Sequence, residues 1–436
     1  MRIWRMKTPA RIRLPTLLLL SGIVYAENVE LVAFPSDCGQ RAMVHVEALA
    51  ELGPRPAGSA AERSAAIYVR NELAGMGLDV RIEEFSFEIF EIEKFLLSCC
   101  DSEMIPDMLG LNPYKAQQFI EAAPVTISPS IGSDELSALD LAGRFAVTAE
   151  PAPFFAIMFG RPMAVAYVDS TEYELLADAD SPMCRLDVSG RLDKHESANI
   201  LAAIGSREPD ASEIVLTAHY DSYREGPGAD DNASGIGVLL ELARHFAKHG
   251  VEPGVKLTFV SVAAEELGVV GSRAYLDAHL PGLSRCDLLV NLDQVGGPRG
   301  PYVEVTGGTS GLPDAPPENR FPESLNGRAW EGLHGGWRLI DERVVELFTA
   351  STRPPSLEEL ISDAATAVGC VPTGNMGGDQ QVFTQAGIVA TSIGSSGNSY
   401  HNPEDRPEQV VVEQLEVVGH LAAEIVFRAM VRSSKR

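Results

Sequence analysis

The chain has 436 residues, 45% of them apolar and 22% charged, with 35 Lys plus Arg against 61 Asp plus Glu and a formal charge of −26. Those proportions belong to a globular protein and exclude a disordered chain, a collagen and a disulfide miniprotein. The acidic excess also argues against nucleic acid and anionic membrane surfaces as partners, because both would repel it.

Arg2, Arg5, Lys7, Arg11 and Arg13 precede an apolar run from Leu14 to Val24 that ends in Val24-Tyr25-Ala26. This pattern reads as a secretory signal peptide over residues 1–26, since the run is too short to span about 30 Å of hydrocarbon comfortably. The protein is therefore expected to be exported, periplasmic or extracellular, with no stable membrane association after cleavage. It would be tethered if the segment stays uncleaved. Cys38, Cys99, Cys100, Cys184, Cys286 and Cys370 show no CxxC spacing. One or two pairs could form after export, but spacing leaves connectivity open and most are expected to be buried free thiols.

Helical apolar spacing covers 40–52 and 60–76, separated by a Leu-Gly-Pro-Arg-Pro turn, and a strand is expected at about Val80 to Phe87. Between 89 and 189 the rhythm is irregular, with strands expected at Arg144–Thr148 and Ala164–Val168, and the segment reads as an inserted subdomain. From 190 onward strands alternate with helices: Ile214–Ala218, helix Gly235–Lys248, Lys256–Val262, helix Gly271–His279, Asp287–Leu292, Ile388–Ile393, then a helix from Pro407 to Val431. The expected fold is α/β, a mostly parallel central sheet with helices on both faces, formed by 27–88 and 190–436. Residues 297–335 are rich in Gly and Pro and read as a binding loop or lid.

Ligands of parallel α/β sheets lie beyond the carboxyl ends of strands. His219 and Asp221 follow the strand at 214–218, and Gly228-Ala229-Asp230-Asp231-Asn232-Ala233-Ser234-Gly235 opens the next helix. Glu265 and Glu266 follow 256–262, Asp293 follows 287–292, and Tyr400-His401-Asn402-Pro403 follows the last strand. Two histidines with several carboxylates suit zinc, and a bridging carboxylate lets two ions share one site. Asp230 and Asn232 read as turn or N-cap residues, and Asp405-Arg406-Pro407-Glu408 resembles a capping box for the last helix. His45, His195, His245, His249, His279, His334 and His420 lack comparable context.

With these motifs in this order, the sequence resembles the co-catalytic zinc exopeptidases of metallopeptidase family 28, which include secreted leucyl aminopeptidases and plasma glutamate carboxypeptidase. The resemblance begins at Leu52-Gly53-Pro54-Arg55-Pro56-Ala57-Gly58-Ser59 and is densest in Ala218 to Ser222, Gly228 to Gly235, Ala264 to Gly268 and Tyr400 to Asp405. It implies two zinc ions: His219 and Asp293 on one, Glu266 and His401 on the other, Asp231 bridging both. Asp221 would orient His219. It further implies an aminopeptidase acting on peptides, in which a metal-bridging water loses its proton to Glu265, the general base. A cis peptide bond is expected after Asp231, and residues 89–189 resemble a protease-associated insertion. Where relatives read Ser-Asp-His before a Phe, this chain has Gly378-Asp379-Gln380-Gln381-Val382-Phe383, so only Asp379 carries over. Two other readings share the fold. Glutaminyl cyclase, a mono-zinc aminoacyltransferase, typically alters the Asp-Asp-Asn-Ala-Ser-Gly loop that is kept here, and a receptor-like binding module would have lost its ligands.

Overall fold

A computed structural model describes residues 34–304, apart from interruptions between 101 and 181 of which the longest is 150–163, and residue 284. It further describes 328–330, 337–339, 361, 364, 371–373 and 378–434 except 398 and 400. The signal segment, Cys370 and most of 305–377 lie outside the described residues. Among the described residues no helix is long and apolar enough to cross a membrane.

Two N-terminal helices, α1 (Cys38–Ala50) and α2 (Ala60–Gly75), form where the apolar spacing put them. The Ser59 hydroxyl accepts the Glu62 N–H at 3.0 Å and the Glu62 carboxylate accepts the Gly58 N–H at 2.7 Å, so α2 starts on reciprocal side-chain caps. Strand β1 (Val80–Cys99) then runs far past the expected end at Phe87, because it pairs in antiparallel register with β8 (Cys184–Gly205) from Val80↔Ala202 to Cys99↔Cys184. Positions 89 and 189 therefore fall within a continuous two-stranded ribbon.

The ribbon carries the short strands β2 (Ser102–Met104) and β4 (Gln117–Ala122). A second sheet holds β3 (Met108–Leu111), β5 (Val125–Ile127), β6 (Phe145–Thr148) and β7 (Ala164–Tyr167), followed by α3 (Ser170–Ala177). Phe145, Val147, Ala164 and Ala166 pack against Leu97, Leu186 and Val188 of the ribbon. At the ribbon's tip Cys99 and Cys184 form a disulfide across 85 residues, a pairing that spacing alone left open. Cys38 and Cys286 are buried free thiols, and Cys100 is exposed and free.

The main sheet continues through β9 (Ser212–His219), α4 (Gly235–His249), β10 (Val255–Val262), α5 (Val270–Leu283) and β11 (Cys286–Leu292). β12 (Arg299–Glu304), β13 (Arg328–Trp330), β14 (Trp337–Leu339), β15 (Val371–Thr373), α6 (Gln380–Gln385), β16 (Ala390–Ser396) and α7 (Val412–Ser433) follow. Its order is β13-β1-β8-β10-β9-β11-β16-β12-β15, while β14 joins the second sheet. The central four strands, β10, β9, β11 and β16, are parallel. β8 and β12 flank them antiparallel, so the sheet is mixed at its sides and parallel where the site residues emerge.

Burial explains the layers. Ile214 and Leu216 of β9 face a core with α1, α2, α4 and α7, whereas Val215 faces the opposite core with Tyr275 and Leu276 of α5 and Phe383 of α6. The expected loop at 297–335 contains β12, whose Val303 is wholly buried. The last helix begins at Val412 rather than Pro407: Pro407–Gln409 is a 3-10 turn, and the Val411 N–H donates to the Gly296 carbonyl at 2.8 Å.

A buried polar node locks α1 to α4. Glu241 of α4 accepts from Arg41 Nε at 2.6 Å and Arg244 Nε at 3.0 Å, and lies 3.5 Å from His45 Nε2. Burial alone would raise its pKa, but the hydrogen bonds from His45, Arg41 and Arg244 outweigh burial and hold it at about 2. The folded value lies below the unfolded one, so this stabilisation is present above about pH 4.5 and lost as pH falls toward 2. Glu241→Gln should unfold more readily than wild type at pH 7, by on the order of 2–3 kcal/mol, and the gap should close near pH 2 in denaturant titrations. Reducing the Cys99–Cys184 bridge should lower the unfolding temperature by several degrees in differential scanning fluorimetry, because closing so long a loop is worth on the order of 4 kcal/mol.

Candidate metal centre

All seven residues singled out at the strand ends come together. β9 ends on His219, and Asp221 follows it; both are essentially inaccessible to solvent. His219 Nε2 lies 3.2 Å from Asp231 Oδ1, 3.4 Å from Asp293 Oδ1 and 3.9 Å from Glu265 Oε2. His401 Nε2 lies 2.9 Å from Glu266 Oε2 and 3.4 Å from Asp231 Oδ2. Two triads result, His219-Asp231-Asp293 and Asp231-Glu266-His401, each with its ligand atoms within 4.8 Å of one another. Asp231 belongs to both and turns one oxygen to each.

Local backbone conformation aims these groups. Residues 229–234 form one wide turn ahead of α4 with a cis peptide between Asp231 and Asn232, as expected. Asn232 is a turn residue rather than a ligand: its Oδ1 accepts the Gly235 N–H at 2.9 Å and its Nδ2 donates to the Leu292 carbonyl at 2.8 Å. Asp230 also points elsewhere, accepting the Gly296 N–H at 2.7 Å. Ala264, Gln294 and His401 have φ of 54°, 52° and 52°, left-handed conformations that side chains other than glycine adopt only when their surroundings impose them. They stand directly before Glu265, directly after Asp293 and at His401 itself, so each of three strand ends turns sharply at a site residue.

Asp221 ties two of these ends together. Its Oδ1 sits 3.4 Å from His219 Nδ1, while its two oxygens accept the N–H groups of Glu265 and Glu266 at 3.2 Å each. Asp379 is fully buried and accepts the Ser272 hydroxyl at 2.5 Å. Burial first, and then Asp293 and Asp221, raise its pKa to about 7 against the lowering influence of His219 and Ser272.

Two residues were misread or passed over in the sequence. Asp405 does not cap the last helix, which begins seven residues later; its carboxylate accepts the N–H groups of Asp230 at 2.8 Å and Asp231 at 3.0 Å. The Ser/Asp preference for capping was the right signal, but the turn at Asn402 folds Asp405 back onto the metal loop. Arg55, which the Leu52–Ser59 motif contains without marking it as a site residue, is wholly buried beside the site; desolvation lowers its pKa to about 10 even though Asp221, Asp405, Asp231 and Glu266 oppose that fall. An arginine between two prolines was the available signal.

The donor set fits zinc. His219 is crowded by carboxylate oxygens, yet neither ring nitrogen makes an aligned hydrogen bond, and Asp293 Oδ1 is likewise buried and unsatisfied. Burial would lower the His219 pKa, but Asp221, Asp231 and Asp293 drive it well above its usual value, which marks a space short of positive charge. Burial would raise the Asp231 pKa, but His219 and His401 hold it well below the ordinary carboxylate range. Imidazole and carboxylate ligands at this spacing answer that shortage with a borderline-soft divalent cation.

Comparison with known proteins accords with this geometry. Residues 199–313 match peptidase family M28. Aminopeptidase YwaD of Bacillus subtilis is 24% identical over 419 residues, 88% of this chain and 83% of that protein. The probable lipoprotein aminopeptidase LpqL of Mycobacterium tuberculosis is 25% identical over 328 residues, 65% of this chain and 64% of that protein. Among solved structures, the aminopeptidase from Aneurinibacillus sp. strain AM-1 superposes with a TM-score of 0.61 at 19% identity, covering 91% of this chain and 96% of that one. BSAP, a zinc aminopeptidase from Bacillus subtilis, gives 0.60 at 22% identity over 91% and 95%. The segment that matches the family holds His219, Asp231, Glu265, Glu266 and Asp293, and the chain shares the fold of those aminopeptidases.

Proposed function

We propose that this protein is a zinc-dependent aminopeptidase that releases N-terminal residues from peptides, with two zinc ions per chain and Glu265 as the proton carrier. The observation that carries the reading is the shared carboxylate: Asp231 offers one oxygen to the His219-Asp293 pair and the other to the Glu266-His401 pair. Two cations satisfy that arrangement, whereas one leaves a cluster of carboxylates and a histidine without a cation.

His219, Asp231 and Asp293 would hold one ion, and Asp231, Glu266 and His401 the other. Zinc in such a site lowers the pKa of water toward about 7 and polarises a carbonyl oxygen. Glu265 belongs to neither triad, and its side chain keeps 19% of its surface accessible, so it can meet a water and a peptide. Burial first, then Glu266, Asp379 and Asp293, push its pKa well above the usual range although His219 opposes them. Standing beside His219 yet outside both triads, Glu265 is placed to take a proton from the attacking water and return it to the leaving amine. Asp221 orients the His219 ring and holds the Glu265-Glu266 backbone, so the two neighbouring carboxylates keep different directions.

Export is part of the proposal. The N-terminal 26 residues carry the signal pattern, a matched relative is named a lipoprotein, and the Cys99–Cys184 disulfide suits an oxidising compartment. The second sheet within 89–189 contributes none of the proposed ligands and is read as a rim to the site.

Purified active protein should contain two zinc ions by elemental analysis and lose activity on chelation. One ion sufficient for full rate would overturn the bridging role of Asp231. Glu265→Gln should keep its zinc while kcat on an amino-acyl anilide falls by roughly 10²–10⁴. Glu266→Gln should instead lose zinc and activity together and regain part of the activity in excess metal. Peptides with an acetylated N-terminus should resist cleavage while their free counterparts are shortened from that end, as read by mass spectrometry. Equal cleavage of both would refute the aminopeptidase reading.

A further inference from the structure

The loop that delivers Asp231 is gripped from both sides by a buried ion of each sign. Arg55 is wholly inaccessible, and its guanidinium donates to the carbonyls of Tyr220 at 3.0 Å, Leu49 at 3.1 Å, Gly53 at 3.4 Å, Gly228 at 3.0 Å and Pro227. A buried arginine usually faces a carboxylate, yet every one of these partners is backbone. Tyr220 stands between His219 and Asp221, and Pro227 and Gly228 open the loop to Asp231. The fork therefore ties the end of β9 to the base of that loop. The Arg55 backbone adds to the tie, its N–H donating to Ser222 Oγ at 2.9 Å and its carbonyl accepting the Ser222 N–H at 3.2 Å.

Asp405 grips the same loop through its N–H groups. One carboxylate oxygen accepts from Asp230 at 2.8 Å and the other from Asp231 at 3.0 Å, while the Asp405 carbonyl accepts the Ala229 N–H at 3.2 Å. Asp405 closes the turn that begins just after His401, with its own N–H on the Asn402 carbonyl at 2.9 Å. Arg55 thus joins the loop to the strand end of one triad, and Asp405 joins it to the turn of the other. Gly228 sits at the crossing with no room for a side chain, since a Cβ there would come within 2.4 Å of the Asp231 carbonyl and 3.1 Å of the Arg55 guanidinium.

We propose that Arg55 and Asp405 are a pair of positioning residues that clamp residues 227–231 and so set where Asp231 stands between the two metal triads. The inference rests on Asp231 being the shared ligand. Lysine cannot replace Arg55 in this role, because a single ammonium cannot fork to carbonyls on separate segments. Asparagine cannot replace Asp405, because its amide offers one acceptor oxygen where two N–H groups converge.

The test uses the full-length zinc-loaded protein and reads metal binding rather than turnover. In chelator competition, Arg55→Lys and Asp405→Asn should each weaken the looser zinc site tenfold or more and change the visible absorption of the cobalt-substituted protein. The double variant should be little worse than the weaker single, as two grips on one loop are not additive. Leu421→Ala, a truncation in the core face of α7, controls for general loss of stability. It should lower the unfolding temperature while leaving zinc affinity and the cobalt spectrum as in wild type. If Arg55→Lys fails to fold, the isosteric Asp405→Asn decides alone. Wild-type affinity and spectrum in the folded variants would overturn the clamp, as would an equal loss of zinc in Leu421→Ala. A wild-type chain that binds no zinc would overturn the clamp together with the metal centre, whereas a zinc-loaded wild type without peptidase activity would fault only the proposed reaction.

Discussion

The carboxyl ends of the central strands gather more buried negative charge than the surrounding protein neutralises. Asp221, Asp231, Glu266, Asp293 and Asp379 are removed from most or all solvent contact, and Glu265 stands among them. Arg55, buried with them, commits its donors to backbone carbonyls. Desolvating an uncompensated carboxylate costs several kcal/mol, so this cluster is a poor resting state without added cations. Neighbouring carboxylates raise the pKa of His219 against its burial, and burial together with like charges raises those of Glu265 and Asp379. A cation bound here would compete with protons for the same groups.

Topology decides why these groups meet. Four parallel strands each end at the same edge of the sheet, so the residues after β9, β10, β11 and β16 converge although the four strand ends are far apart in sequence. The helices cover the two faces and leave that edge open. The antiparallel ribbon of β1 and β8 extends the sheet sideways and carries a second small sheet with its own core, so material can be added beside the site without altering the strand ends.

Much of this was legible in the chain. Runs such as Ile214-Val215-Leu216 announce a strand buried on both faces, and polar residues just beyond such runs pointed to His219, Glu265, Glu266 and Asp293, whereas Asp231 and His401 lie on loops further along and the assignment of ligands rested on the motif resemblance. The length of β1 was not legible, because strand pairing with a partner a hundred residues away, rather than local propensity, extends it past Phe87. The disulfide was hidden for the same reason, as Cys99 and Cys184 become neighbours only once that register is set. Asp405 was misassigned because capping chemistry is the same wherever backbone N–H groups lack partners, and sequence shows only the nearest helix.

The adjacent glutamates show how a backbone can give two like side chains unlike work. Neighbours on a continuing strand would point to opposite faces, and neighbours on a helix would diverge by about 100°, leaving one of them away from the histidines. Here Ala264 adopts a left-handed conformation, and Asp221 captures both following N–H groups. The turn this creates sends Glu266 to His401 and leaves Glu265 beside His219 but outside both triads. The Gly268 and Val269 N–H groups then donate to the Glu265 carbonyl at 2.7 and 2.8 Å, which closes the turn before α5 begins. Two identical carboxylic acids thus take different places because one conformationally costly residue and one buried aspartate fix the peptide planes between them.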